Sequence, residues 1–171
     1  MEVNKNTIYK NAANYGLILG LATIIYSLLM RFSGFLDSSF TFFGYQVIMA
    51  IGIAFSTKKY REEIKNNIIS YSEALGFGLL ISIFSGLIQA FFVYAYYVYV
   101  SPEDMDILIQ TTQELLINMG KSDEEVEMAV KIISPTYFGF SILLKEFVKG
   151  LLFSLIIASF VKKEADIFDN N

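Results

Sequence analysis

Residues 74–100 read ALGFGLLISIFSGLIQAFFVYAYYVYV and hold no charged side chain. A helix rises ~1.5 Å per residue, and about 20 consecutive apolar residues cross the hydrocarbon of a bilayer. This run is longer than that, so a transmembrane helix is expected. Inside it Ala74, Gly78, Ser82, Gly86 and Ala90 recur at every fourth position, which lays them in one stripe along one helix face. In lipid no hydrophobic drive holds helices together, so small residues that let backbones approach do much of the association. The stripe is expected to be the central packing surface of a bundle; a homodimer seam or a groove for a lipid tail are the alternatives. Gln89 lies beside it.

Working outward, residues 12–30 form another apolar run of spanning length, in which Ala12, Gly16 and Gly20 repeat the four-residue spacing and suit docking on the central helix. Bulky Leu28, Leu29 and Met30 followed by Arg31 end it, unlike the small-residue cleavage site of a secretory signal, so a retained anchor is expected. Residues 38–57 resume apolar texture with Gln46 near the middle and read as a second crossing. Lys58, Lys59, Arg61 and Lys65 then make a basic loop, Asn66-Asn67 a turn, and Ser70-x-x-Glu73 a capping box that opens the central helix.

Residues 102–134 differ in kind, with eight acids against Lys121 and Lys131. Met105, Leu108, Ile109, Leu115, Leu116 and Met119 follow helical spacing, Gly120 ends that helix, and Ser122-x-x-Glu125 caps a second carrying Val126, Ala129, Val130 and Ile133. Pro102 and Pro135 bound the segment, because each disfavours helix through the preceding residue. An amphipathic hairpin is expected to lie against the outer rim, with Met105, Leu108, Ile109, Val126 and Val130 facing inward. Residues 136–161 supply a last crossing, and the acidic tail 164–171 is expected to fray. The fold class expected is all-α: one integral membrane domain over residues 1–171, a four-helix polytopic bundle with a helical hairpin between its third and fourth transmembrane helices.

Composition agrees, with 54% hydrophobic residues and a mean hydropathy of +0.50. The absence of Cys and His removes most transition-metal sites, disulfides, thiol chemistry and Ser/His or Cys/His nucleophile pairs. No cofactor and no enzyme activity are expected. Asp123 and Glu127 are the only conceivable metal ligands, and acids there are better explained as complements to a helix dipole. The net charge of −4 and the lack of a basic face interleaved with aromatics argue against nucleic acid. Lys5, Lys10, Lys58, Lys59, Arg61, Lys65, Lys162 and Lys163 fall on one side of the spans, with Arg31, Lys121 and Lys131 opposite. The positive-inside rule then puts both termini and the basic loop in the cytoplasm. Tyr94, Tyr96, Tyr97 and Tyr99, with Tyr137, Phe138 and Phe140, form an aromatic belt at the outer face.

The order of these features has a counterpart. A glycine-bearing first helix, a second ending in KKYRE, SYSEALGFGLLIS opening the third, an insert running from Pro102 through Gly120 to Pro135, and KGLLFSLIIASFVKK closing the last together resemble the bacterial inner-membrane family catalogued as domain of unknown function 4199. The resemblance covers nearly the whole chain. It implies a four-helix integral membrane protein with no assigned activity, cofactor or binding residues, so no functional residue is carried over.

The residues that carry chemistry are in the last run, where Lys145, Glu146 and Lys149 lie near the centre. Each costs ~2.5 to 3.5 kcal/mol to insert, roughly 8 to 10 together, against ~5 to 9 returned by the apolar side chains. Pairing shifts this balance, since Glu146 and Lys149 are one turn apart and Lys145 flanks them. Glu146, Gly150, Ser154 and Ala158 share one small-residue face, which turns the charge into the bundle if that face packs. With alternating crossings, Thr23, Gln46, Gln89 and Glu146 come out at one level, roughly 2 to 6 Å to the outer side of the midplane. Gln89 or Gln46 is therefore expected to contact the Glu146–Lys149 pair. Two functions compete. In one, the protein is a structural, accessory or partner-binding component that meets a second copy or another membrane protein through its acidic hairpin. In the other, Glu146 is the proton or cation site of a small transporter or channel.

Overall fold

The computed structural model describes residues 5–35 and 38–163. The tail 164–171, expected to fray, lies outside the described residues. The described chain is helical: α1 Lys5–Phe32, α2 Ser39–Glu63, α3 Tyr71–Ala95 continued by a π-helical turn Tyr96–Val100, α4 Pro102–Asn118, α5 Asp123–Ile132 and α6 Pro135–Val161. Local chemistry sets the ends. Ser38 caps α2 and Ser134 caps α6, while Ser70 with Glu73 and Ser122 with Glu125 form complete capping boxes on α3 and α5. Pro102 and Pro135 sit in the first turns of α4 and α6, where a missing N–H costs nothing. Asn66 and Asn67 adopt φ of 49° and 64°, and Gly120 a φ of 75°, the left-handed conformations that turn the chain after α2 and after α4.

Two boundaries differ from the sequence reading. The basic run 58–63 is helix, not loop: Lys58 faces Glu62 at 3.9 Å and Lys59 faces Glu63 at 2.8 Å, i,i+4 pairs that carry α2 past the apolar stretch. The C-terminal end of the third span, read as plain helix to residue 100, widens into the π-helical turn before Ser101-Pro102.

Helices α1, α2, α3 and α6 form a four-helix bundle around α3, which packs most extensively on α6 and next on α1. The α3–α6 seam is built from small residues in antiparallel register. Gly78 lies on Ser154, Gly86 on Glu146, and Gly150 on Ser82, so each step of four down one helix meets a step of four up the other. Gly16 and Gly20 dock α1 on a different face of α3, against Ile81, Phe84, Ser85 and Ile88, and Ala12 one turn earlier is buried. Tyr60 stacks on Phe77 with ring centroids 3.9 Å apart, closing the core near the α2–α3 connection. There Arg61 donates to the Val161 carbonyl at 2.9 Å and Ile69 pairs with Lys163 as an isolated antiparallel bridge.

The bundle holds a set of polar side chains among the apolar ones of its core, and its outer surface is apolar. Thr23, Ser82, Ser85, Gln89, Glu146 and Ser154 are buried, while Ile18, Phe43, Ile51, Phe55, Phe91, Val148 and Phe160 are among many large apolar side chains exposed. A mantle of this extent suits lipid and not water. By length and composition α1, α2 and the α3 unit Tyr71–Val100 are long and apolar enough to cross a membrane. α6 is of similar length, at 27 residues, but carries Lys145, Glu146 and Lys149.

The hairpin α4–α5 extends from the opposite end of the bundle to the α2–α3 connection. Met105 and Val126 are buried and Leu108, Ile109 and Val130 half-buried, as their spacing implied. The hairpin meets this end of the bundle at two elements. α4 packs chiefly on α5 and on the π-helical turn, and Arg31 at the end of α1 pairs with Asp104.

Candidate functional site

Glu146 is 1% exposed because its face of α6 is the one pressed on α3. A Cβ added at Gly86 would stand 2.9 Å from the Glu146 Cβ, so only glycine leaves room for the carboxylate side chain at this crossing. The Lys149 ammonium reaches Glu146 Oε1 at 2.7 Å from one turn along and sits 4.3 Å over the Tyr45 ring. The Tyr45 hydroxyl lies 2.9 Å from the same Oε1 and also reaches Gln89 Oε1. Gln89 is oriented by its Nε2, which donates to Ser85 Oγ at 3.0 Å. Thr23, fully buried, donates to its own helix at Gly20 O and stands beside the phenol.

A phenol has one hydrogen and here meets two acceptors, so it serves one at a time. With Glu146 ionised, the hydrogen goes to the carboxylate. With Glu146 protonated, the carboxyl donates to the Tyr45 oxygen and the phenol hydrogen turns to Gln89. Glu146 Oε2 has no hydrogen-bond partner among the described residues.

These groups open on a cavity of ≈ 870 Å³ between α2, α3 and α6, with Ile24 and Ser27 of α1 at one end. Its α6 wall is Ile142, Lys145, Lys149, Leu152 and Ile156, a run at 3–4 spacing that forms one helix face. Pockets of about 300–1,000 Å³ enclose one small ligand.

The structure therefore brings Glu146, Lys149 and Gln89 together. Gln46 lines the cavity, but the contact to Glu146 comes from its neighbour Tyr45. Lys145 is exposed at the cavity and the Glu146 ion pair is made by Lys149. The stripe residues Gly78, Ser82, Gly86 and Ala90, with Gly16 and Gly20, are packing positions. Asp123 and Glu127 belong to no group of three metal-ligating side chains among the described residues. Tyr45 was the residue missed. The signal for it was present: Thr41, Tyr45, Met49 and Ile53 recur every fourth residue, and Thr41, Met49 and Ile53 are buried.

The model of the family described as protein of unknown function (DUF4199) matches residues 14–163. The chain belongs to that family. No match to it is found among curated proteins or among solved structures. In this DUF4199 chain the matched span includes α1 from residue 14 onward, all of α2, α3 and α6, and every group of the polar centre.

The hairpin of the DUF4199 chain carries a second polar cluster. The Tyr96 phenol donates to Asp104 at 2.9 Å and holds that carboxyl below its usual range, with Ser101 and the Arg31 guanidinium acting in the same direction. Arg31 also lies 4.8 Å over the Tyr96 ring. Both partners of the Arg31–Asp104 pair keep about a third of their side-chain surface exposed, so solvent screens their attraction.

Proposed function

We propose that the protein crosses the inner membrane of a bacterium four times with both termini and the basic end of α2 in the cytoplasm, and that its polar centre is the proton or cation site of a small carrier. The observation that carries this is the Tyr45 hydroxyl poised between Gln89 and Glu146 beside a carboxylate oxygen with no partner among the described residues. A carboxylate kept only as glue has both oxygens satisfied, because a stranded polar atom in a low-dielectric interior costs ~1–3 kcal/mol. Here one oxygen is held by Lys149 and Tyr45, and the other has no partner among the described residues. Pairing with Lys149 makes α6 insertable despite its charges, which supports a fourth crossing.

The test is proton uptake into proteoliposomes under an imposed gradient, comparing the native chain with Glu146→Gln and monitoring helix content and elution volume in parallel. A loss of at least about tenfold in flux with the fold intact is expected. Equal flux in the two proteins overturns the carrier reading.

One observation favours a second reading, an accessory or partner-binding role. The hairpin leaves Ile107, Leu115, Ile117, Met119, Met128 and Ile132 exposed beyond the bundle. Recovery of a stoichiometric membrane partner after crosslinking in native membranes, lost on hairpin substitution, supports that role.

A further inference from the structure

Three properties of the cavity bear on what it takes. Its mouth faces sideways: Phe42 on α2 and Leu152 and Ile156 on α6 line it and are 61%, 57% and 59% exposed, on the surface that the bilayer covers in a four-crossing protein. A molecule entering there comes from lipid. Ser27, Ser38, Thr41 and Gln46 also line it, but most of the remaining wall is apolar, with Ile24, Phe92, Val93 and Phe153 around the polar centre, so the part that follows the head is a hydrocarbon chain. Its charge is unbalanced. Lys145 and Lys149 bring two cations and Glu146 one anion. In low dielectric an uncompensated charge is costly, so once Glu146 is protonated an anionic head restores the balance that the carboxylate gave, where a cationic one would worsen it.

We infer that the cavity takes a single-chain amphiphilic anion from the bilayer, its head held by Lys149 and Lys145 as Glu146 takes up a proton. This rests on Glu146 as the protonated group. The groups around Glu146 are Tyr45 from α2, with Thr23 from α1 behind its phenol, Gly86 and Gln89 from α3, and Lys145 and Lys149 from α6. Of these only the two lysines are cationic. While Glu146 is ionised it occupies Lys149 at 2.7 Å. Once protonated it donates to the Tyr45 oxygen, and the freed ammonium accepts the anionic head in its place. One proton and one monoanion enter together, so the charge of the bundle is unchanged, and by linkage each favours the other.

The experiment uses the full chain in nanodiscs of zwitterionic lipid. The chain has no Trp, so Phe92→Trp places a single reporter in the cavity and Phe55→Trp places one on the outward face of α2. Phe153→Trp serves if the first reporter disturbs folding. The probe is a brominated hexadecanesulfonate, whose head stays anionic at every pH, with the matching brominated alcohol and trimethylammonium as comparators. Saturable quenching by the sulfonate alone is expected at Phe92→Trp, against unsaturated quenching at Phe55→Trp. The half-saturation point should fall roughly tenfold as the pH is lowered, within the usual range of coupled sites. Lys149→Gln should abolish saturation and Lys149→Arg keep it, while Glu146→Gln should bind as tightly as the acid form at all pH values. Absence of saturation, or equal saturation by the alcohol, overturns the amphiphile site and leaves the separately measured proton flux standing. Saturation by the sulfonate with one midpoint at every pH overturns the role of Glu146 instead.

Discussion

Gly86 of α3 and Glu146 of α6 face each other so closely that a Cβ on the glycine would lie 2.9 Å from the Cβ of the glutamate. The Glu146 Cβ is fixed to its helix backbone, so neither partner can yield by a rotamer change. Gly86→Ala should therefore move α6 away from α3, at a cost of ~1–3 kcal/mol in the unfolding free energy. Gly76, with open space where its Cβ would go, is the control, and Gly76→Ala should leave stability unchanged or slightly raised. Denaturant titration in one detergent checks both.

The start of α5 should weaken in acid. Lys121 at 2.9 Å and the Ser122 N–H hold Glu125 down to about 2, against an ordinary value of 4.5. A folded-state value below the unfolded one means that the stabilisation is complete above about 4.5 and is lost as the pH falls through about 2. Amide exchange at Glu125 and Val126, corrected for its intrinsic pH dependence, should speed up over that window. In Glu125→Gln the corrected rates should be flat.

Topology is open to labelling because the sequence contains no Cys. A cysteine in place of Ser122, in the hairpin, should react with an impermeant thiol reagent added outside intact cells. One in place of Lys59, near the opposite end of the bundle, should react only after permeabilisation. The reverse pattern would invert the orientation, and labelling of both from outside would contradict a four-crossing chain.

Much of the fold was legible because its signals are local. The four-residue stripe of α3, the boxes Ser70–Glu73 and Ser122–Glu125, Gly120 and the two prolines each act within a turn or two, and each does in the structure what its chemistry requires. The end of α2 was misread because Lys58, Lys59 and Arg61 are unsuited to a bilayer core, although the acids that pair with the two lysines lie four residues on and keep the helix going. At the site, charge made Glu146 and Lys149 visible, and Gln46 drew attention as a polar residue in an apolar run. Tyr45 did not, because tyrosine is amphipathic and passes as part of a lipid-facing surface. Only the helical phase separates the two neighbours, about 100° apart, and it is Tyr45 whose hydroxyl reaches the carboxylate. The partners of the hairpin were not legible, since Asp104 is held by Arg31, 73 residues away, as well as by Tyr96 of the π-helical turn.

The most direct measurement is infrared difference spectroscopy of the reconstituted protein during a pH titration, observing the carbonyl stretch of protonated carboxyl groups. Lowering the pH should produce a band that is missing in Glu146→Gln and shifted in Tyr45→Phe, because the Glu146 carboxyl donates to the phenol oxygen. An identical set of bands in the native protein and in Glu146→Gln, up to the point of unfolding, would contradict Glu146 as a proton site.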